Sequence, residues 1–173
     1  MKAFATSILI QATSKAVWAV LTDGPQWAKW NPTVDKVEGT IAPGEKVTVY
    51  AKLSPGRAFP VRVSTFEPPN RMVWTGGMPL GLFKGERTYT LTPKAGGVEF
   101  AMREEFTGLM APLITKSIPD MQPAFEEFAA ALRAGGLNRR STRTTVSAGR
   151  CQVLTLACVH AISNRTAAMG RRI

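Results

Sequence analysis

Between residues 45 and 107 apolar side chains recur at every second position, and from 114 to 132 they recur at every third or fourth. A change from period two to period 3.6 marks half-buried antiparallel strands followed by a helix with one apolar face. The strand faces read Val47, Val49, Ala51 and Leu53, then Phe59, Val61, Val63 and Thr65, then Met72 and Trp74. An earlier segment, 33–42, places Val37, Gly39 and Ile41 inward. Breaks fall at Ala42-Pro43-Gly44, Ser54-Pro55-Gly56 and Pro68-Pro69-Asn70, all of them turn chemistry.

The segments 83–92 and 98–107 make the clearest hairpin. A four-residue loop, Lys94-Ala95-Gly96-Gly97, pairs Leu91 with Phe100, Tyr89 with Met102 and Arg87 with Glu104. A slip of one residue sets charge against apolar groups, so the pattern itself selects this register. The helix is expected over about 109–134, with Ile114, Ile118, Met121, Phe125, Phe128 and Leu132 as its stripe. Pro119 and Pro123 should kink or interrupt it near 117–120, and Gly135-Gly136 should stop it. Ahead of the sheet, 3–11 reads as a first strand. Helical spacing covers 15–22 behind the cap Thr13-Ser14, and a second short helix or turn covers 25–30.

The net charge of +10 is unevenly spread over the 173 residues. Residues 1–137 hold nine Lys, six Arg and all twelve acids, while 138–173 hold seven Arg and no acid. All fourteen aromatic residues lie in the first part; Cys151, Cys158 and His160 lie in the second. This predicts a domain over 1–137 and an Arg-rich extension over 138–173, disordered or loosely ordered. Without His or Cys, the domain cannot house a Ser-His-Asp or Cys-His nucleophile or a usual zinc site. No metal is expected in the extension either, since C-x6-C-x-H fits no trusted ligand spacing. The extension's arginines suit weak contact with anionic surfaces and no specific nucleic acid. No apolar run reaches a bilayer span and the first residues lack a signal-peptide core, so a soluble, cytoplasmic protein is expected.

The motifs I-x-A-x-x-x-x-V-W-x-V-L-T-D at 10–23, W-x-x-W-N-P at 27–32 and F-E-P-P-x-R at 66–71 occur in order. G-E-R-T-Y-T-L-T-P at 85–93 and E-E-F-x-G at 104–108 follow. In this set and spacing the chain resembles the START/birch-pollen-allergen superfamily, SRPBCC, and its polyketide cyclase/dehydrase-like branch, over roughly residues 3–134. The resemblance implies an α+β helix-grip fold: a curved seven-stranded antiparallel sheet around a long C-terminal helix, with two short helices after strand 1. It also implies a hydrophobic or aromatic ligand of the lipid, polyketide or quinone class, held between sheet and helix, and no cofactor. Relatives often carry His where this chain has Arg87, and an arginine stays protonated, so it can anchor an oxygen but not act as a base.

The expected ligand-binding set is Trp30, Phe59, Trp74, Phe83, Arg87, Tyr89, Phe100, Met102, Glu104, Met121 and Phe125; of Phe59, Trp74, Tyr89, Phe100, Met102, Met121 and Phe125, half or more should be plain core. Arg87, Tyr89 and Glu104 are the candidates for any catalysis. Two readings of the Arg87–Glu104 pair stand: charges that orient a ligand in an apolar chamber, or a structural ion pair. Trp27 reads as core, Trp30 as core or entrance lining, and Asn31 before Pro32 as a turn residue. The stretch 76–81 lacks the Gly-Lys-Ser/Thr end of a phosphate loop and reads as a strand connection at the mouth, with a lid role as the functional alternative. Three functions follow: a small-molecule binder, a cyclase/dehydrase-like enzyme, or an adaptor or chaperone-like module of a larger assembly. Oligomeric state is left open.

Overall fold

The computed structural model describes residues 2–136, and the expectations for 138–173 lie outside them. The first strand, β1 (Lys2–Ile10), leads into α1 (Ser14–Leu21), whose first turn is capped by the Thr13 hydroxyl accepting from Ala16 N–H. A 3₁₀ turn, Gly24–Gln26, and the one-turn helix α2 (Trp27–Trp30) follow. Next come β2 (Val34–Glu38), β3 (Lys46–Ala51), β4 (Ala58–Glu67), β5 (Arg71–Gly77), β6 (Lys84–Lys94) and β7 (Gly97–Thr107). The chain then forms α3 (Ala111–Ile114) and α4 (Gln122–Ala131), which runs into a wider turn, Leu132–Gly136.

The strands form one antiparallel sheet in the order β1-β7-β6-β5-β4-β3-β2, so the first strand closes onto the last. The β6–β7 register is the one the pattern selects: Leu91 opposite Phe100, Tyr89 opposite Met102, Arg87 opposite Glu104. The hairpin loop is tighter than expected, because Lys94 and Gly97 pair and leave Ala95-Gly96 to turn. Gly96 takes the left-handed conformation this needs, at φ 84°.

Several expectations shift. The apolar helix is not continuous over 109–134: α3 and α4 are separate, with the break spanning the expected site near Pro119. Proline removes an N–H and disfavours helix in the residue before it, and Pro119 and Pro123 stand four residues apart. The stripe survives the break, since Phe125, Phe128 and Leu132 are buried and Ile118 and Met121 pack on the core. Gly39 does not face inward; it turns the chain at φ 92°, exposed. Leu53 is exposed in the β3–β4 turn. In β4 a bulge between Val63 and Thr65 re-aims the strand and brings Phe66 onto the core, its ring 5.1 Å from that of Trp18.

Candidate ligand-binding site

Alternation puts Met72 and Trp74 of β5, Arg87, Tyr89 and Leu91 of β6, and Phe100, Met102, Glu104 and Phe106 of β7 on one face. Facing them are Phe125, Phe128 and Leu132 from the C-terminal helix and its following turn, with Trp27 from α2. The strand pairings set Arg87 between Trp74 on one side and Glu104 on the other.

The aromatic residues divide this face into two neighbourhoods. In the first, Trp27 stacks on Trp74 with centroids 5.4 Å apart and planes 13° from parallel. Phe128 meets Trp27, Trp30, Tyr89 and Phe100 by edge or face. The Trp27 indole N–H donates to Leu21 O at 3.1 Å, so this residue is satisfied core. In the second, Phe83 stacks on Phe106 at 5.7 Å, and Phe4 bridges Phe106 and Phe125.

Arg87 stands at the junction. Its Nε donates to Glu104 Oε2 at 2.9 Å, its Nη2 donates to the same oxygen, and its guanidinium lies 5.0 Å from the centre of the Phe125 ring. The two side chains are 24% and 14% exposed. Burial opposes the guanidinium's charge, but the Glu104 carboxylate, aided by the Tyr89 oxygen, outweighs it and holds the Arg87 pKa above its ordinary value. Burial pushes the Tyr89 hydroxyl above its ordinary pKa of 10.0, against the pull of Arg87. Near neutral pH this corner therefore holds a fixed cation and an un-ionised phenol.

Three of the buried donors here donate to no acceptor among the described residues, Trp74 Nε1, Trp30 Nε1 and the Tyr89 hydroxyl, the last with its oxygen turned to the Arg87 guanidinium. Asn31 Nδ2 is a fourth. Buried polar groups without partners are uncommon in folded proteins, and each costs about 1–3 kcal/mol. The Trp74 and Tyr89 rings are 5.3 Å apart, so two of these donors belong to neighbouring side chains beside Arg87. On the carboxylate, both Arg87 bonds fall on Oε2, and Oε1 accepts none among the described residues.

Of the residues expected from sequence, Trp74, Arg87, Tyr89, Phe100, Met102, Glu104 and Phe125 come together here. Trp30 borders the first neighbourhood through Phe128, and Phe83 lies in the second. Met121 packs on the core from the start of α4. Phe59 lies apart, half-buried on β4 under the Arg57 guanidinium at 5.2 Å. Sequence reasoning passed over Phe4 and Phe128 as site residues, although Phe128 sits in the helical stripe. It took Asn31 for a turn residue, and its Oδ1 does accept from Thr33 N–H at 3.0 Å, but its amide nitrogen is buried and unpartnered. No group of three His, Cys, Asp or Glu side chains is gathered among the described residues.

Solved structures share this architecture. Protein MLL2253 of Mesorhizobium loti aligns with a TM-score of 0.61 at 18% identity, covering 80% of this chain and 98% of that one. Protein CV1439 of Chromobacterium violaceum aligns at 0.60 and 20% identity, over 79% and 99%. The Zhui aromatase/cyclase of Streptomyces sp. R1128 aligns at 0.61 and 13% identity, over 80% and 94%. Identities this low establish the fold, an α+β helix grip. A search of curated proteins gives no significant match. The family model described as polyketide cyclase / dehydrase and lipid transport matches residues 1–147. With its motifs, its sheet order and its gripped C-terminal helix in agreement, the chain belongs to that family, an SRPBCC-type family.

Proposed function

We propose that the protein binds a hydrophobic or aromatic small molecule carrying at least one oxygen, of the lipid, polyketide or quinone class, between the sheet and α4. The observation that carries this reading is the set of buried unpaired donors, Tyr89 OH and Trp74 Nε1, beside the Arg87 cation in aromatic surroundings. A carbonyl, phenolate or carboxylate oxygen placed there would accept from donors whose hydrogen bonds the protein leaves unmade. Apolar burial, at roughly 25 cal/mol per Å², would supply most of the affinity and the donors the orientation.

The test is a selectivity measurement. Affinities of wild type, Arg87→Met and Tyr89→Phe are compared for a quinone or fatty acid and for a hydrocarbon of the same size. Each substitution should weaken the oxygenated ligand by roughly tenfold, about 1.4 kcal/mol, and leave the hydrocarbon near its wild-type value. Equal losses for both ligands would remove the orienting role.

Glu104 favours a second reading, catalysis of the cyclase/dehydrase type. Arg87 holds one carboxylate oxygen and leaves Oε1 without a hydrogen bond among the described residues, as a proton acceptor would require. Arg87 and Tyr89 would then polarise a substrate carbonyl. Turnover of a poly-β-ketone that Glu104→Gln abolishes without weakening binding would establish it; unchanged turnover would exclude this residue as the acceptor.

A further inference from the structure

Among the described residues six large apolar side chains are exposed: Leu9, Leu53, Met78, Leu80, Leu109 and Leu113. Antiparallel pairing sends the end of β3, the end of β5 and the end of β7 to the same end of the sheet. Leu53 follows β3, Met78 and Leu80 follow β5, and Leu109 and Leu113 follow β7. Five of the six thus share one end of the sheet, and Leu9 lies towards the other.

The tips are built to stay out. Leu80 is 95% exposed and takes φ 58°, a left-handed conformation that strains a leucine. An exposed side chain returns nothing to folding for that strain. Leu109 and Leu113 are 89% and 64% exposed. The two loops are tied together, with Met110 N–H donating to Leu82 O at 2.8 Å. Gly108 permits that approach, since a Cβ there would meet Gly81 O and Leu82 O at 2.6 Å, and its φ of 110° favours glycine.

The three loops at this end carry cations and no acid, and the acids nearby lie on the flanking strands and just before α4. Residues 52–57, 78–83 and 108–118 include Lys52, Arg57 and Lys116 and no acid. Two neighbouring carboxylates are ion-paired, Glu86 with Lys84 and Glu105 with Arg103, while Asp120 accepts from Gln122 N–H and has no cationic partner among the described residues. Asp35, on edge strand β2, is the remaining acid at this end. Separate apolar tips set among cations fit an interface that is itself apolar beneath a negative surface.

We propose that this end of the sheet docks on an anionic phospholipid bilayer, with Leu80, Leu109 and Leu113 entering the acyl boundary and Lys52, Arg57 and Lys116 on the headgroups. This surface does not depend on the ligand reading above. The test is cosedimentation of the full chain with vesicles of 70:30 phosphatidylcholine:phosphatidylglycerol, at about 0.15 M and about 0.5 M salt. The Arg-rich segment beyond 138 would bind by charge alone and should be suppressed at the higher salt. The Leu80→Asp/Leu109→Asp variant should partition at least tenfold less than wild type at the higher salt, with an unchanged circular dichroism spectrum. Leu80→Ala/Leu109→Ala should lie between the two, and Leu9→Asp should match wild type. Wild-type partitioning by the double aspartate variant at the higher salt, or no sedimentation of wild type, overturns the proposal. So does a wild-type dimer in sedimentation velocity that the double variant abolishes, which would assign the patch to a second copy.

Discussion

Removing the Glu104 carboxylate should cost more than removing the whole Arg87–Glu104 pair. In Glu104→Leu the guanidinium loses two charge-assisted hydrogen bonds to Oε2 and keeps the Phe125 ring and the Tyr89 oxygen. Breaking one side of a fully buried pair costs about 3–5 kcal/mol. Here the side chains retain 24% and 14% exposure, which lets water reach the cation, so a loss of about 2–3 kcal/mol is expected. The double variant Arg87→Met/Glu104→Leu places two apolar chains opposite each other on β6 and β7, beside Trp74, and should recover to within about 1 kcal/mol of wild type. Urea unfolding of wild type, both single variants and the double variant measures the cycle. At a slope of roughly 2 kcal/mol per M the Glu104→Leu midpoint should fall by about 1–1.5 M. Additive single effects, with the double variant the least stable of the four, would refute the reasoning, because they would mean the two charges do not depend on each other.

Other residues give sharper or simpler outcomes. Trp27→Ala removes a ring that touches Trp30, Trp74, Tyr89 and Phe128, and thermal or urea unfolding should show a loss of about 3–5 kcal/mol. Gly108→Ala should destabilise by more than about 1 kcal/mol and raise hydrogen exchange at Met110 N–H, since its Cβ would collide with two carbonyls of the 78–83 loop. Tyr89 keeps its proton longer in the folded than in the unfolded chain, so its contribution is whole below pH 10 and is lost as pH rises through the raised folded value. Stability measured from pH 9 upwards should therefore fall more steeply for wild type than for Tyr89→Phe; parallel curves would contradict the burial of that hydroxyl.

What the sequence made legible and what it hid divide along physical lines. The β6–β7 register was readable because Arg87 and Glu104 tolerate one pairing and oppose a slip. The gripped face of the C-terminal helix was readable from a stripe that persists through the break around Pro119. The extent of the break was not, since proline marks a position and tertiary packing decides how many residues unwind. The β4 bulge was invisible for a similar reason: one extra residue leaves the composition of the strand unchanged while it exchanges Thr65 for Phe66 at the core. Most of the side chains that cluster around Arg87 were named from sequence, but their unmet donors were not. Whether the Trp74 indole or the Tyr89 hydroxyl finds a partner depends on neighbours from β5, β6 and α4 at once, and no local pattern encodes that.

On the proposed reading the face between sheet and α4 receives an oxygen-bearing apolar molecule. Native mass spectrometry of the protein purified from its own host tests it most directly, followed by incubation with a panel of quinones, fatty acids and aromatic polyketides. The account predicts a one-to-one adduct that denaturation releases, and that Arg87→Met and Tyr89→Phe weaken. A bare mass before and after incubation with the whole panel, for protein with native circular dichroism, would contradict it.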